Sequence, residues 1–401
     1  MDRVNKIKSY IVGSFRSFHN SDNCFVVMIA CDRVVGIFTS ATNDRLRPLK
    51  NILIACTIVY ELLEFVLFFF FLKSITLEQH FTTLFLMFCR MLCVINWSLL
   101  ALFRKDLEQI WLNLRDLQRN RPDPRRSKYI RAINWFALGY MIENMGPYFV
   151  WTVSGQVGSP IKMFPNDFLH QVNNVLYPVA VTLVTFMFCY CIIVICTILP
   201  ALALEFMLLG TAFERIFEDV GSLGETIRRA QRNWDQLEQA LKLCIEHHQH
   251  LLDMATRLKE QVKFYFLTYL ITSFVIITFS CFQYALTQEV NSPRFTFTAA
   301  AAVTSTINLL LCGYLCDQLE GQVAAVKYHL YCSGWTDKLI YSRAFGHRYK
   351  AFRKMMLIVM GRTQQKVGMT CGNFAAMSLV TCRRVLQFAF SVLAVLLSFL
   401  D

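Results

Sequence analysis

The chain has 401 residues and a mean hydropathy of +0.41, with 55% hydrophobic residues and only 17% charged ones. Soluble domains carry about 25% charged residues, so an ordinary water-soluble core is excluded as the destination of this much apolar surface. The net charge of +12 would raise the question of nucleic acid in a soluble chain. Here the basic residues flank apolar blocks, and membrane topology accounts for them without a nucleic-acid partner.

Residues 1–50 hold eight Lys/Arg and no long apolar run, which is not the pattern of a secretory signal peptide. Seven apolar blocks follow, near residues 51–73, 81–103, 132–154, 176–210, 262–287, 296–317 and 372–400. A helix of roughly 23 residues rises about 34 Å, enough to cross the hydrocarbon core. The third block is the most broken, interrupted by Glu143, Asn144 and Pro147. No alternating pattern with regular turn signals occurs, so a β-barrel is disfavoured and helices remain as the spanning elements. The expected fold is all-α, a seven-transmembrane helical bundle.

Lys/Arg counts set the expected orientation. The N-terminal 50 residues and the loops 104–131, 211–263 and 317–371 together hold 34 of the 40 basic residues. The opposite side holds Lys73, Lys162 and Arg294, and Arg90, Arg383 and Arg384 lie within spans. The positive-inside rule puts the rich side in the cytosol. The N-terminus is then inside and the C-terminus outside, inverted relative to a G-protein-coupled receptor. Residues 211–262 carry helix-period apolar positions at Phe213, Ile216, Val220, Leu223, Ile227, Trp234, Leu237, Leu241, Ile245 and Leu252. Residues 339–360 do the same at Tyr341, Phe345, Tyr349, Phe352, Met356 and Ile358. These cytosolic segments are expected to be helical, with apolar faces that pack on each other and on neighbouring subunits. The expected organisation is a cytosolic segment 1–50, helices 1–4 over 51–210, cytosolic extensions of helices 4 and 5 over 211–262, helices 5–6 over 263–317, cytosolic helices over 318–371, and a last helix over 372–401.

Other chemistry finds little support. The 15 cysteines include no CxxC pair, and with this topology none falls in an outer loop. Free cysteines in membrane segments behave as small hydrophobes. His247, His248 and His250 cluster on a predicted helix but do not converge and lack a fourth ligand. No metal site, cofactor or catalytic motif is expected, and the chain is not expected to be an enzyme.

The C-terminal third carries a resemblance. Residues 313–335 read GYLCDQLEGQVAAVKYHLYCSGW. Residues 353–396 contain Arg362-Thr363-Gln364, Gly372-Asn373-Phe374, Ser378-Leu379 and Ser391. The order of parts over nearly the whole chain, and these motifs most specifically, resemble the insect odorant receptor family. The sequence departs from the family's usual Tyr-Ser-Tyr-Phe stretch at Phe390, Val392 and Leu393.

The resemblance implies an odorant-gated, non-selective cation channel subunit in the plasma membrane of the olfactory sensory neuron dendrite. It implies a heterotetramer with the shared co-receptor Orco, whose pore is lined by the last helix of each subunit. On that helix Arg384, Phe388, Ser391, Val395, Ser398 and Phe399 share one stripe by 3–4 spacing. Its hydroxyls either face water at intervals or bond a carbonyl one turn back. Val395 and Phe399 are the expected apolar gate, and Asp401 adds negative charge at the outer mouth. The resemblance also implies a pocket for a small volatile ligand in the outer half of the bundle. Its candidates are Phe81, Phe85 and Phe88 in the second span, and Met141, Asn144, Met145, Tyr148 and Trp151 in the third. Val181, Thr185 and Phe188 in the fourth and Ala300 and Thr304 in the sixth complete the set. Each aromatic has the alternative of packing or contact with lipid. Glu143 is an acid within a span, expected to pair with Lys162 or stay protonated, and a movement near Phe282 and Tyr284 in the fifth span is the expected link to the pore. The competing function is a non-channel membrane receptor or a small-molecule transporter.

Overall fold

The computed structural model describes residues 18, 23–38, 47–70, 77–120, 123–153, 167–217, 227–286, 293–338, 343–363 and 367–398. Apolar side chains recur through these segments at helical spacing, and helices account for nearly all of them. In chain order they are α1 (Val26–Val35), α2 (Arg47–Phe70), α3 (Leu77–Leu102), α4 (Arg104–Asn120), α5 (Pro124–Val153), α6 (Asp167–Ile216), α7 (Ile227–Leu286), α8 (Pro293–Cys332), α9 (Trp335–Lys338), α10 (Gly346–Arg362) and α11 (Leu379–Ser398). A two-stranded antiparallel hairpin, β1 (Thr370–Cys371) and β2 (Ala375–Ala376), precedes α11.

Among the described residues six helices are long and apolar enough to cross a membrane: α2, α3, α6, α7, α8 and α11. The third expected block lies in α5, whose 30 residues reach the length of a span at 1.5 Å per residue but carry more polar residues. The other blocks extend further than hydropathy alone suggests. α6 runs 50 residues, α7 runs 60 and α8 runs 40, because the amphipathic stretches beyond each apolar block continue the same helix. The segment 104–131, read as a loop, contains α4 and the start of α5.

The chain divides into two compact units. The first comprises 1–197, 261–313 and 370–401, and the second 198–260 and 314–369. In the first, most of the stretch from Cys24 to Phe38 is buried, with Ala30, Arg33 and Val34 exposed, although no span was expected there. Phe25 and Phe38 pack on Trp111 of α4, with ring centroids 6.1 and 5.8 Å away. The Tyr190 hydroxyl on α6 donates to Asp32 Oδ1 at 2.6 Å, and the Phe38 N–H donates to the same oxygen at 3.2 Å. The Trp97 indole N–H donates to the Val35 carbonyl at 3.0 Å. Burial pushes the Asp32 carboxyl above the usual carboxylate range, and Glu108 adds to the rise. The two hydrogen bonds and Lys50 act the other way.

The second unit is built on aromatic contacts. Trp234 of α7 touches Phe345 and Phe352 at 6.3 and 6.1 Å, and Phe217 touches Phe352 at 5.9 Å. Leu319, Val323, Val326 and Leu330 form the buried stripe of α8, and Trp234, Leu237, Leu241, Leu251 and Met254 that of α7. The register differs from the sequence expectation in places. Leu251 is buried in place of Leu252, and Val359 in place of Ile358, which is 48% exposed. His329 Nδ1 lies 2.7 Å from Glu214 Oε1. Gly210 makes room for that ring, since a Cβ there would stand 2.5 Å from it.

The last expected block begins differently from the reading of 372–400 as one helix. Cys371-Gly372-Asn373-Phe374 forms a tight turn closed by Phe374 N–H to the Cys371 carbonyl at 3.0 Å. Gly372 and Asn373 have φ of 56° and 64°, the left-handed pair that the primed hairpin turns require and that Gly-Asn tolerates. The helix starts only at Leu379, where the Ser378 Oγ accepts from the Thr381 N–H at 3.3 Å as an N-cap.

Tyr190→Phe is expected to lower stability by about 1–3 kcal/mol, because it strips a donor from a buried carboxyl. Phe352→Ala is expected to cost about 3–5 kcal/mol as a core cavity. Thermal midpoints of the solubilised full-length protein check both.

Candidate ligand-binding site

The predicted ligand residues occupy the first unit. Phe85 of α3 is buried and stacks on Phe279 of α7, with centroids 4.0 Å apart and planes within 10°. Phe88 is 43% exposed, on a different face of the same helix. Met141 of α5 receives the Cys31 thiol at 3.5 Å, and Met145 that of Cys189 at 4.0 Å. The Asn144 amide donates to the Tyr140 carbonyl at 2.9 Å and its Oδ1 accepts from Asn308 Nδ2 at 3.2 Å, which ties α5 to α8. Val181 is buried, and Thr185 Oγ1 donates to its carbonyl at 2.8 Å. Phe188 is half-buried and stacks on Tyr269 at 6.4 Å, and Tyr269 stacks on Tyr265 at 5.9 Å. Ala300 and Thr304 are half-buried. The side chains of Phe81, Tyr148 and Trp151, and residues Phe399 and Asp401, lie outside the described set.

Two groups thus come together. One is Phe85 with Phe279, extended by Phe282 at 6.1 Å from Phe279. The other gathers Asn144, Met145 and Phe188 around Tyr140, Cys189, Tyr269 and Asn308. Sequence reasoning missed Tyr140, Tyr265, Tyr269 and Asn308. Their signal was present, as polar-tipped residues four apart at 140 and 144 and at 265 and 269 inside apolar helices. In this second group Tyr140 Oη, Tyr265 Oη and Asn308 Oδ1 are buried with no hydrogen-bond partner among the described residues. A buried unmet hydroxyl or carbonyl costs about 1–3 kcal/mol, which makes these atoms candidates to anchor one polar group on a mostly apolar ligand. Glu143 is exposed, and Lys162 lies outside the described residues.

The pore candidates sit on α11. Ser391 Oγ donates to the Gln387 carbonyl at 2.9 Å and Ser398 Oγ to the Val395 carbonyl at 2.8 Å, and both serines stay exposed. Val395 is 55% exposed. Only 11% of the α11 span is buried, against 61% for α6. A basic groove of about 350 Å³ lies in the second unit, lined by Tyr349, Lys350, Arg353, Lys354 and Leu357. Three cations make it unsuited to an apolar volatile. Among the described residues no group of His, Cys, Asp or Glu could hold a metal.

Residues 76–390 match the family model described as 7tm Odorant receptor. The chain belongs to this odorant receptor family. Two solved structures of the insect olfactory receptor OR5 from Machilis hrabei share the fold of this receptor. The one in complex with eugenol has a TM-score of 0.70 at 12% identity and covers 93% of this chain and 96% of its own. The other has a TM-score of 0.71 at 13% identity, covering 92% and 96%. No curated protein is matched by sequence. The receptor is therefore a multi-pass membrane protein of the seven-helix odorant receptor class.

Tyr140→Phe is expected to leave the thermal midpoint unchanged, since the lost hydroxyl has no protein partner. It should weaken responses to hydroxyl-bearing volatiles about tenfold, the worth of one hydrogen bond, and leave matched hydrocarbons unaffected. Dose–response curves for alcohol and alkane pairs measure this.

Proposed function

We propose that this receptor is an odorant-gated, non-selective cation channel subunit of the plasma membrane. It takes a small volatile ligand at the Tyr140–Asn308 group and works as a heterotetramer with Orco. The N-terminus faces the cytosol, as the distribution of basic residues supports, and the last helix lines the pore. The relative solved with eugenol supports a small organic ligand as the class.

The observation that carries the reading is the arrangement of α7. Successive helix residues are about 100° apart, so Thr268, Thr272 and Phe279 form one stripe and Lys263, Leu267 and Phe274 another. The first stripe meets α3. Asn96 Nδ2 donates to Thr272 Oγ1 at 3.1 Å, Thr268 Oγ1 donates to Asn96 Oδ1 at 2.6 Å, and Phe279 stacks on Phe85. The second stripe meets the last segment. The Gly372 N–H donates to the Lys263 carbonyl at 2.9 Å, a Cβ on Gly372 would stand 2.8 Å from Leu267, and Phe274 stacks on Phe388 at 5.2 Å. Tyr265 and Tyr269 on the same helix belong to the ligand group. A ligand that favours one position of α7 therefore biases α11 directly, through differential affinity for the two states. The scarce burial of α11 and its two exposed hydroxyls suit a helix completed by other subunits around water.

Recording from cells that express the receptor with Orco tests the proposal. Odour-evoked current within milliseconds and without nucleotide is expected, whereas slow stoichiometric uptake would overturn it. Phe274→Ala should reduce maximal current by up to about tenfold at unchanged surface expression, because an aromatic pair is worth about 0.5–1.5 kcal/mol. Val395→Ala should raise ligand-free current, and unchanged basal conductance would remove Val395 from the gate.

A further inference from the structure

The first unit contains a charged cluster that ligand binding and gating leave unused. Glu61 and Glu64 on α2 and Arg90 on α3 lie within candidate spans and are 2%, 2% and 7% exposed. Arg90 Nη2 meets Glu64 Oε2 at 2.5 Å. Its Nε and Nη1 approach the two Glu61 oxygens at only 3.4 and 3.5 Å. The Arg90 guanidinium also sits 5.0 Å over the Tyr177 ring of α6. Tyr60 is committed elsewhere, its hydroxyl donating to Asn173 Oδ1 at 2.7 Å. The groups facing the cluster are thus Tyr60 on α2, Cys89 and Cys93 on α3 and Tyr177 on α6. Among the described residues the charged groups acting on Glu61 are Arg90 and Glu64.

The charges do not balance. Arg90 is always a cation, and its short contact to Glu64 is a charge-assisted ion pair. That pair uses the one positive charge, and an ionised Glu61 would leave an uncompensated negative charge inside the membrane, where such charges are costly. A second observation points to the remedy. Glu64 Oε1 is buried with no hydrogen-bond donor, on a side chain 1% exposed. Glu61 stands three residues before it on the same helix face, where side chains meet.

We propose that Glu61 is a proton-binding site. Its carboxyl holds one proton at neutral pH and donates it to Glu64 Oε1, so the Glu61–Glu64–Arg90 cluster is electrically neutral and joins α2, α3 and α6. The near-complete burial of both acids favours a proton over a metal ion or an organic cation as the occupant. The proposal does not depend on channel activity or on the identity of the odorant.

The test uses the full-length protein, solubilised, with no ligand added. Glu61→Gln mimics the protonated acid in shape and donor, so yield and thermal midpoint should match the parent. Arg90→Met removes the one positive charge, strands the Glu64 carboxylate and should lower the midpoint by about 5 °C or more. In infrared spectra at neutral pH the parent should show a protonated-carboxyl stretch that shifts in D₂O. That band should vanish from Glu61→Gln and persist in Tyr190→Phe, which leaves the cluster untouched. Failure of Glu61→Gln to fold, equal tolerance of Arg90→Met, or persistence of the band in Glu61→Gln would each overturn the proposal.

Discussion

Hydrocarbon offers no hydrogen bonds, so every polar side chain within the first unit must be answered by another part of the protein. The chain meets this demand with pairs far apart in sequence. Asn96 is answered by Thr268 and Thr272, Asp32 by Tyr190, Arg90 by Glu61 and Glu64, and Asn144 by Asn308. Each link joins two helices that apolar packing alone would leave free to slide, since lipid tails are as apolar as leucine. The polar minority therefore sets the register of the bundle. Atoms left unanswered among the described residues, such as those of Tyr140, Tyr265, Asn308 and Glu64, stand out for that reason.

α7 shows how one helix serves several partners at once. Its hydroxyl-and-aromatic stripe is held by α3, and its other stripe bears on the hairpin and on α11. Between them Tyr265 and Tyr269 stack in the bundle interior. Because these faces belong to one rigid rod, a displacement at any of them is shared by the others without a chain of loosely packed intermediates.

Much of this was legible in the sequence. Apolar block length gave the spanning helices, and 3.6-residue periodicity gave the extensions into Trp234, Leu237 and Leu241. The motif Gly372-Asn373-Phe374 carried the resemblance but was placed inside the last helix, because hydropathy could not distinguish its hairpin from the first turn of a span. The burial of Cys24–Phe38 was hidden because ten helical residues are too short to register as a membrane block and Asp32 and Arg33 lower their hydropathy. Glu61 and Glu64 were masked by the leucines and phenylalanines around them, and their partner lies 29 and 26 residues away on another helix. Phe85 and Phe88 were indistinguishable as members of an aromatic run. Only the position of α7 separates the buried ring from the exposed one.

The two-strand hairpin gives the last helix a mechanical property that composition does not suggest. Its short ladder and the Gly372 bond to the Lys263 carbonyl fix one end of α11, while most of the helix's flank is bare. Twenty residues make a rod about 30 Å long, so a tilt of about 5° at the hairpin swings the free tip by about 2.6 Å. That lever ratio turns a sub-ångström shift beside the fulcrum into a displacement comparable to the diameter of a water molecule.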